Sequence, residues 1–222
     1  TALLVIDVQG DFCHKNAPTY VNGAAAALPK VRQAIDSARE SGVPVIWVVR
    51  EHDASGADVE TFRTHMFEGD NQGICVPGTP GCNIARGLKR LPQGGELRVV
   101  KKRMSAFFGT SLDLILRRMG IQKLALAGVQ TPNCIRATAV DAAALDYAVT
   151  VLSDATASKS KEVQASNLAD LEGQGCPSAT VEAWGAGLGP DAKPSGAPPA
   201  SAAPTGGDDK PKKERKPRER KP

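Results

Sequence analysis

Apolar residues along the chain alternate between two spacings, and this pattern predicts strands and helices that follow one another in turn. Short apolar runs are typical of buried parallel strands. We expect strands at residues 3–8, 43–49, 97–100, 123–128, 149–152 and 179–181. Apolar positions that repeat every three or four residues predict amphipathic helices between them. The predicted helices cover residues 29–40, 110–120, 134–146 and 159–171.

This alternation predicts an α/β protein: a three-layer, doubly wound sheet of six mostly parallel strands with helices on both faces. Residues 51–96 interrupt the pattern. They are rich in Gly and Pro and contain only a weak helical signal at 58–66. Long connections in compact domains are usually functional covers, so we expect this segment to lie over a site.

The composition changes after Trp184. We predict a folded domain at 1–184, a Gly/Ala/Pro/Ser-rich linker at 185–207 and a disordered basic tail at 208–222. The tail holds eight Lys/Arg and four Asp/Glu, which accounts for the whole formal net charge of +4. The folded part is therefore neutral and shows no bias towards nucleic acid, whereas the tail suits an acidic partner such as an RNA-containing assembly.

The number and spacing of the cysteines indicate the redox state of the compartment in which the protein folds. Five widely spaced cysteines, an odd number, favour free thiols in a reducing compartment, which means the cytoplasm or an organelle matrix. No apolar run reaches about 18 residues, so we expect no membrane span.

Cys134 is the strongest candidate for chemistry. It follows an apolar strand and a short connection, and a helical pattern opens at it. A thiol in the first helical turn lies near free backbone N–H groups and the positive end of the helix dipole, which favour the thiolate. We therefore expect Cys134 to be a nucleophile that titrates below the usual thiol pKa of about 8.5.

Two more polar residues follow predicted strands. Asp7 lies at the end of the first strand, and Lys101 directly follows the third. Because sites in doubly wound sheets form at the carboxyl ends of strands, we predict a catalytic triad of Asp7, Lys101 and Cys134. Asp7 takes the thiol proton, Lys101 stabilises the sulfur, and Cys134 attacks a carbonyl carbon. Backbone N–H groups near Gln130 and Cys134 form the predicted oxyanion hole.

The segments around these residues resemble the isochorismatase-like cysteine hydrolases, a family that includes nicotinamidases and ureidoacrylate-type amidohydrolases. The resemblance runs in order from residue 1 to about residue 184. It rests on four segments: Asp7-Val8-Gln9-Gly10-Asp11-Phe12 with the strand before it, Gly78-Thr79-Pro80-Gly81, Lys101-Lys102-Arg103-Met104-Ser105-Ala106-Phe107, and Gly128-Val129-Gln130-Thr131-Pro132-Asn133-Cys134.

The resemblance implies further features. The sheet has the strand order 3-2-1-4-5-6, a non-proline cis peptide joins Val129 to Gln130, and Lys101 rather than Lys102 is the triad lysine. Family members are homo-dimers or tetramers, so we expect a homo-oligomer.

One departure from the family pattern concerns metal binding. Nicotinamidases carry an Asp-x-His…His metal site after the second strand, whereas this chain reads Arg50-Glu51-His52 there. We therefore expect no metal and no organic cofactor, and place the chain with plant-type nicotinamidase-like or ureidoacrylate amidohydrolase-like members that lack the metal site. Arg50 is our candidate for binding a substrate carboxylate, with structural ion pairing as the alternative.

Phe12 and Phe107 are candidate walls of the substrate pocket, and either ring could instead pack in the core.

The residues and the resemblance together predict a cysteine-dependent hydrolase that cleaves a small amide or ureido C–N bond through a thioester. Two alternatives stay open. One is hydrolysis of an isochorismate-type vinyl ether, which depends more on the acid than on the thiol. The other is a non-catalytic family member that serves as a structural subunit docked through its basic tail.

Overall fold

The computed structural model describes residues 1–88 and 95–189. Six strands form one fully parallel sheet in the order β3-β2-β1-β4-β5-β6, which confirms the predicted topology. The strands are β1 Ala2–Ile6, β2 Val45–Arg50, β3 Leu97–Lys101, β4 Lys123–Val129, β5 Ala148–Ala157 and β6 Ser178–Ala179.

Helices cover both faces of this sheet. They are α1 Gly10–Cys13, α2 Ala24–Glu40, α3 Leu112–Arg118, α4 Arg136–Ala144, α5 Lys161–Gly173 and α6 Val181–Ala186. A 3₁₀ segment at Thr61–Phe67 replaces the weak helix predicted at 58–66, and a π-helical turn at Thr131–Ile135 leads into α4. None of the helices in the described ranges is long and apolar enough to cross a bilayer.

The side chains of alternate residues in the central strands pack into two separate hydrophobic cores, one on each face of the sheet. Leu4 and Ile6 of β1 face α3, α4 and α5, whereas Leu3 and Val5 face α2 and α6. All four side chains are fully buried. This two-sided burial explains why the strand reads as an unbroken apolar run, because side chains alternate between faces with a period of two.

Several element bounds differ from the sequence prediction. Helix α2 starts at Ala24, five residues before the predicted start at Pro29, because the alanine run before the proline has high helix propensity. Strand β5 runs to Ala157 rather than ending at 152, and its pairing with β4 shifts register between Leu126 and Gly128.

The carboxyl end of the folded part also differs. Helix α6 was not predicted, and it extends two residues past the expected domain end at Trp184. The Thr180 hydroxyl caps it by accepting a hydrogen bond from the backbone N–H of Ala183 at 3.2 Å. The rest of the predicted linker from residue 190, and the whole tail at 208–222, lie outside the described residues.

Candidate active site

The three predicted triad residues meet at the carboxyl edge of the sheet. Lys101 Nζ lies 2.8 Å from Asp7 Oδ2 and 3.4 Å from Cys134 Sγ. Its third contact is the carbonyl oxygen of Arg103, at 3.0 Å. Asp7, Lys101 and Cys134 are 1%, 0% and 3% exposed, so an acid, an amine and a thiol share one enclosed site.

The backbone at Asp7 is adapted to this site. Asp7 has a φ of 51°, a left-handed conformation that is uncommon for a residue with a side chain. Its N–H donates to the Val48 carbonyl of β2 at 2.9 Å, so the neighbouring strand holds the chain as it leaves β1. Backbone strain of this kind clusters at functional sites.

The electrostatics around Cys134 contradict the predicted thiolate. Burial first, and then the Asp7 carboxylate, raise the pKa of the Cys134 thiol, while Lys101 and Arg50 lower it by less. The sequence argument weighed the helix start but not the desolvation of the sulfur or the nearby carboxylate. Burial and the carboxylate therefore favour the protonated form of Cys134 over the predicted thiolate.

A tight turn before Cys134 fixes the position of its side chain. Gly128 adopts a φ of 117°, and a Cβ atom there would lie 2.0 Å from the Ile6 carbonyl oxygen, so only glycine fits. The Val129–Gln130 peptide is cis, as the resemblance implied. Asn133 Nδ2 donates to Gln130 Oε1 at 2.7 Å and so fastens the two sides of the turn. The oxyanion role of Gln130 and Cys134 stays a prediction.

Arg50 lies directly against Cys134. Its side chain is fully buried, and Nη2 is 3.8 Å from Cys134 Sγ. Nη1 donates to both carboxylate oxygens of Glu60 at 2.9 Å, so the structural ion pair considered for Arg50 does form. Although burial lowers the pKa of Arg50, Asp7, Cys134 and Glu60 together raise it, and the guanidinium stays charged.

His52 shows that the region after β2 does not fit a metal ion. Its Nδ1 lies 3.0 Å from Asp58 Oδ1, and its Nε2 lies 3.1 Å from Arg50 Nη1. Both ring nitrogens are thus engaged, one of them by a cation that would repel a metal. Within residues 1–88 and 95–189, no three His, Cys, Asp or Glu side chains are grouped to hold a metal.

Comparison with known proteins shows which family this chain belongs to. The isochorismatase domain family matches residues 1–183. The chain belongs to the isochorismatase-like hydrolase family. A family protein of known structure from Desulfovibrio vulgaris superposes with a TM-score of 0.80 at 44% identity, covering 84% of this chain and 97% of that one.

Curated isochorismatase-like relatives differ in their assigned activity. A protein of Arabidopsis thaliana named a probable inactive nicotinamidase is 45% identical over 185 residues, covering 83% of this chain and 94% of the relative. A maleamate amidohydrolase of Pseudomonas putida is 30% identical over 172 residues, covering 77% and 78%. Amidohydrolases are therefore among the relatives, at lower identity than the plant protein.

The two predicted aromatic walls have contacts typical of core packing. Phe12 is buried among Cys13, Val21 and Val129. Phe107 is half-buried and stacks on Tyr147 with the ring centroids 5.8 Å apart. Substrate contact by either ring stays a prediction.

Sequence reasoning missed three residues that border the site. Gln9 is fully buried and brackets the backbone of Arg50: its amide donates to the Arg50 carbonyl and its carbonyl accepts from the Arg50 N–H, both at 2.7 Å. Gln9 belongs to the opening segment that resembles the family, and that signal could have found it. Glu60 ends the spacing Gly56-x-Asp58-x-Glu60, which resembles the metal-free branch of the family, although that resemblance assigned it no role in the site. Arg63 lies in a part of segment 51–96 that offers no comparable pattern.

Proposed function

We propose that this protein is a metal-independent cysteine amidohydrolase, which cleaves the C–N bond of a small amide or ureido compound through a thioester. The observation that carries the proposal is the contact of Lys101 Nζ with both Asp7 and Cys134, at 2.8 Å and 3.4 Å. A buried ammonium between a carboxylate and a thiol holds the base beside the nucleophile and stabilises the sulfur as its proton leaves.

The proposed reaction starts from a neutral thiol and an ionised Asp7. Asp7 takes the proton from Cys134 while the sulfur attacks the carbonyl carbon, and backbone N–H groups at Gln130 and Cys134 stabilise the oxyanion. Protonated Asp7 then gives its proton to the leaving nitrogen, which departs as ammonia or an amine and leaves a thioester on Cys134. Asp7 next takes a proton from water while the hydroxide attacks the thioester. As the C–S bond breaks, Asp7 returns this proton to the sulfur of Cys134, which releases the acid product and restores the free thiol.

The charges of the site favour a substrate that carries a carboxylate. Arg50 Nη2 faces the nucleophile, and Arg50 Nε is buried without a hydrogen-bond partner among the described residues. These two nitrogens form one edge of the guanidinium, which matches a carboxylate in a bidentate geometry. Maleamate, the compound named for the Pseudomonas relative, has a carboxylate and an amide in one small molecule.

A substrate screen with matched variants tests the proposal. Purified protein is incubated with maleamate, ureidoacrylate and nicotinamide, and ammonia release is measured for wild type, Cys134→Ala and Cys176→Ala. Cys176 is a second buried thiol, whose Sγ contacts the Ala139 carbonyl oxygen in the core at 3.7 Å. We expect turnover of a carboxylate-bearing amide that only Cys134→Ala abolishes. Unchanged turnover in Cys134→Ala would remove the mechanism.

The vinyl-ether alternative makes a different product. Hydrolysis of isochorismate releases pyruvate and no ammonia, and it does not require a thiol nucleophile. The contact of Cys134 with Lys101 favours thiol chemistry, because an unused thiol gains nothing from a buried ammonium at 3.4 Å. Pyruvate release that survives in Cys134→Ala would reverse the order of the two reactions.

A further inference from the structure

The Glu60 carboxylate, which comes from the connection after β2, lies between two arginines beside Cys134. Glu60 accepts from Arg50 Nη1 at 2.9 Å, and its second oxygen lies 3.9 Å from Arg63 Nη1. The Arg63 side chain is only 8% exposed, although it comes from a segment outside the sheet. Two buried guanidinium groups therefore share one internal carboxylate.

Neither arginine is satisfied by these contacts. Arg50 Nε and Arg63 Nη1 are buried donors without a hydrogen-bond partner among the described residues. A buried charged donor left unpaired is costly, so it calls for a partner such as water, an ion or a ligand. Both open donors belong to cations, and the ligand that completes them is an anion.

The charge balance around Cys134 leads to the same conclusion. Within residues 1–88 and 95–189, Arg50 and Arg63 pair with Glu60 and Lys101 pairs with Asp7, so these three cations share two carboxylates. Burial first, and then the neighbouring Arg50 guanidinium, lower the pKa of Arg63. The two like charges are thus held together at a cost that a bound carboxylate relieves.

The connection after β2 holds Arg63 in a defined position. The 3₁₀ segment Thr61–Phe67 begins where the Arg63 N–H donates to the Glu60 carbonyl at 2.8 Å. At its other end, the Phe67 ring packs edge-on against His52 with the centroids 6.0 Å apart. A Cβ atom on Gly56 would lie 2.7 Å from Phe67 Cβ, so the segment packs closely on the loop before it.

We propose that Arg63 and Arg50 together form a carboxylate-binding subsite, in which Glu60 stays between the two arginines and the substrate carboxylate accepts hydrogen bonds from the open donors Arg50 Nε and Arg63 Nη1. Arg63 is then a specificity-determining residue that selects amides bearing an acid group over neutral amides. This inference rests on the proposed function for its substrate, but anion binding at the two arginines can be measured without turnover.

Binding of maleate, a dicarboxylate with no C–N bond, tests the subsite directly. Affinity is measured by titration calorimetry for wild type, Arg63→Met and Arg117→Met, with the neutral diamide of maleic acid as the uncharged probe. Arg117 is a matched control, because it is a surface arginine paired with Asp113 at 3.0 Å. We expect Arg63→Met to weaken maleate binding at least tenfold and Arg117→Met to leave it unchanged. Equal affinity in wild type and Arg63→Met, or equal binding of maleate and the diamide by wild type, overturns the proposal.

Glu60→Gln supplies a second test, because the proposal predicts the direction in which maleate affinity changes. This test applies even if Arg63→Met does not fold. The glutamine keeps the size of the side chain but removes a negative charge that partly neutralises the two arginines and repels a second anion. We expect maleate to bind several-fold more tightly, whereas a purely structural ion pair predicts equal or weaker binding. If maleate binds as expected while no amide is turned over, the proposed reaction fails and the subsite stands.

Discussion

Lys101 Nζ lies 2.8 Å from Asp7 Oδ2, although the strands that carry the two residues are separated by β2. The lysine side chain therefore crosses the end of β2 to reach the acid, and both groups are buried. Removing one partner of a buried ion pair leaves the other charge uncompensated. This pair thus links the stability of the sheet edge to the chemistry of Cys134.

Lys101→Met is expected to destabilise the protein by about 3–5 kcal/mol, because the Asp7 carboxylate is left buried without its cation. Lys102→Met is the matched control: Lys102 is 43% exposed and pairs with Asp58 at 2.7 Å. Its loss should cost less than about 1 kcal/mol, as for other surface pairs. Urea unfolding of both variants measures the difference, and equal destabilisation would contradict the assignment of Lys101 to the buried pair.

Asp7→Asn is expected to make the Cys134 thiol more acidic and, at the same time, to slow amide turnover. Asp7 raises the pKa of Cys134, so replacing it should lower that pKa and speed alkylation of Cys134 near neutral pH. Amide turnover should nevertheless fall by a factor on the order of 10² or more, because the general base is gone. Site-resolved mass spectrometry of alkylation and an ammonia assay measure the two effects, with exposed Asp36→Asn as control. Slower alkylation together with retained turnover would show that Asp7 is not the base.

Stability should fall in alkaline solution because of a buried thiol outside the triad. Burial, and then the Asp7 carboxylate, raise the pKa of Cys13 to about 12, whereas an unfolded thiol titrates near 8.5. The contribution of the protonated Cys13 thiol to the free energy of unfolding is fully present below about pH 8.5. It is lost as the pH rises towards the pKa of this thiol in the folded state. Each pH unit in that window costs about 1.4 kcal/mol for one such thiol.

Urea unfolding of wild type and Cys13→Ala at several pH values between 8 and 10.5 checks this expectation. The variant lacks one titrating thiol, so its free energy of unfolding should fall with pH less steeply than that of wild type, by about 1.4 kcal/mol per pH unit. Parallel pH profiles for the two proteins would contradict it.

The basic tail carries a prediction that is separate from catalysis. Residues 208–222 hold the net positive charge and lie outside the described residues. Deleting them should abolish association with an acidic partner and its salt dependence, while amide turnover stays unchanged. Co-sedimentation of full-length and truncated protein with RNA at low and moderate salt measures this. Equal co-sedimentation of the two proteins would eliminate the docking hypothesis.

Much of this architecture could be predicted because burial leaves a clear mark on the sequence. Strand β1 is fully buried, and β4 is buried throughout after the exposed Lys123, so both read as apolar runs. The residues Asp7 and Cys134, which follow these runs, fall at one edge of the sheet. The strand order and the choice of Lys101 over Lys102 came from the family resemblance, since the spacing alone does not separate the two lysines.

Other features depend on contacts that no local pattern encodes. Glu60 and Arg63 come from a segment without periodicity, and only the folded chain brings them to Arg50. The expected acidity of Cys134 shows the same difference: the start of a helix can be recognised in sequence, whereas the burial and the Asp7 carboxylate that raise the pKa of this thiol cannot.

The central claim is covalent catalysis by Cys134, and trapping the intermediate tests it most directly. Wild-type protein and Asp7→Asn are mixed with maleamate, quenched in acid within milliseconds to seconds, and digested for mass spectrometry. We predict that the wild-type peptide containing Cys134 gains the mass of the acyl group as ammonia is released, and that Asp7→Asn accumulates far less of it. Ammonia release at full rate with Cys134 unmodified at every time point would contradict the account.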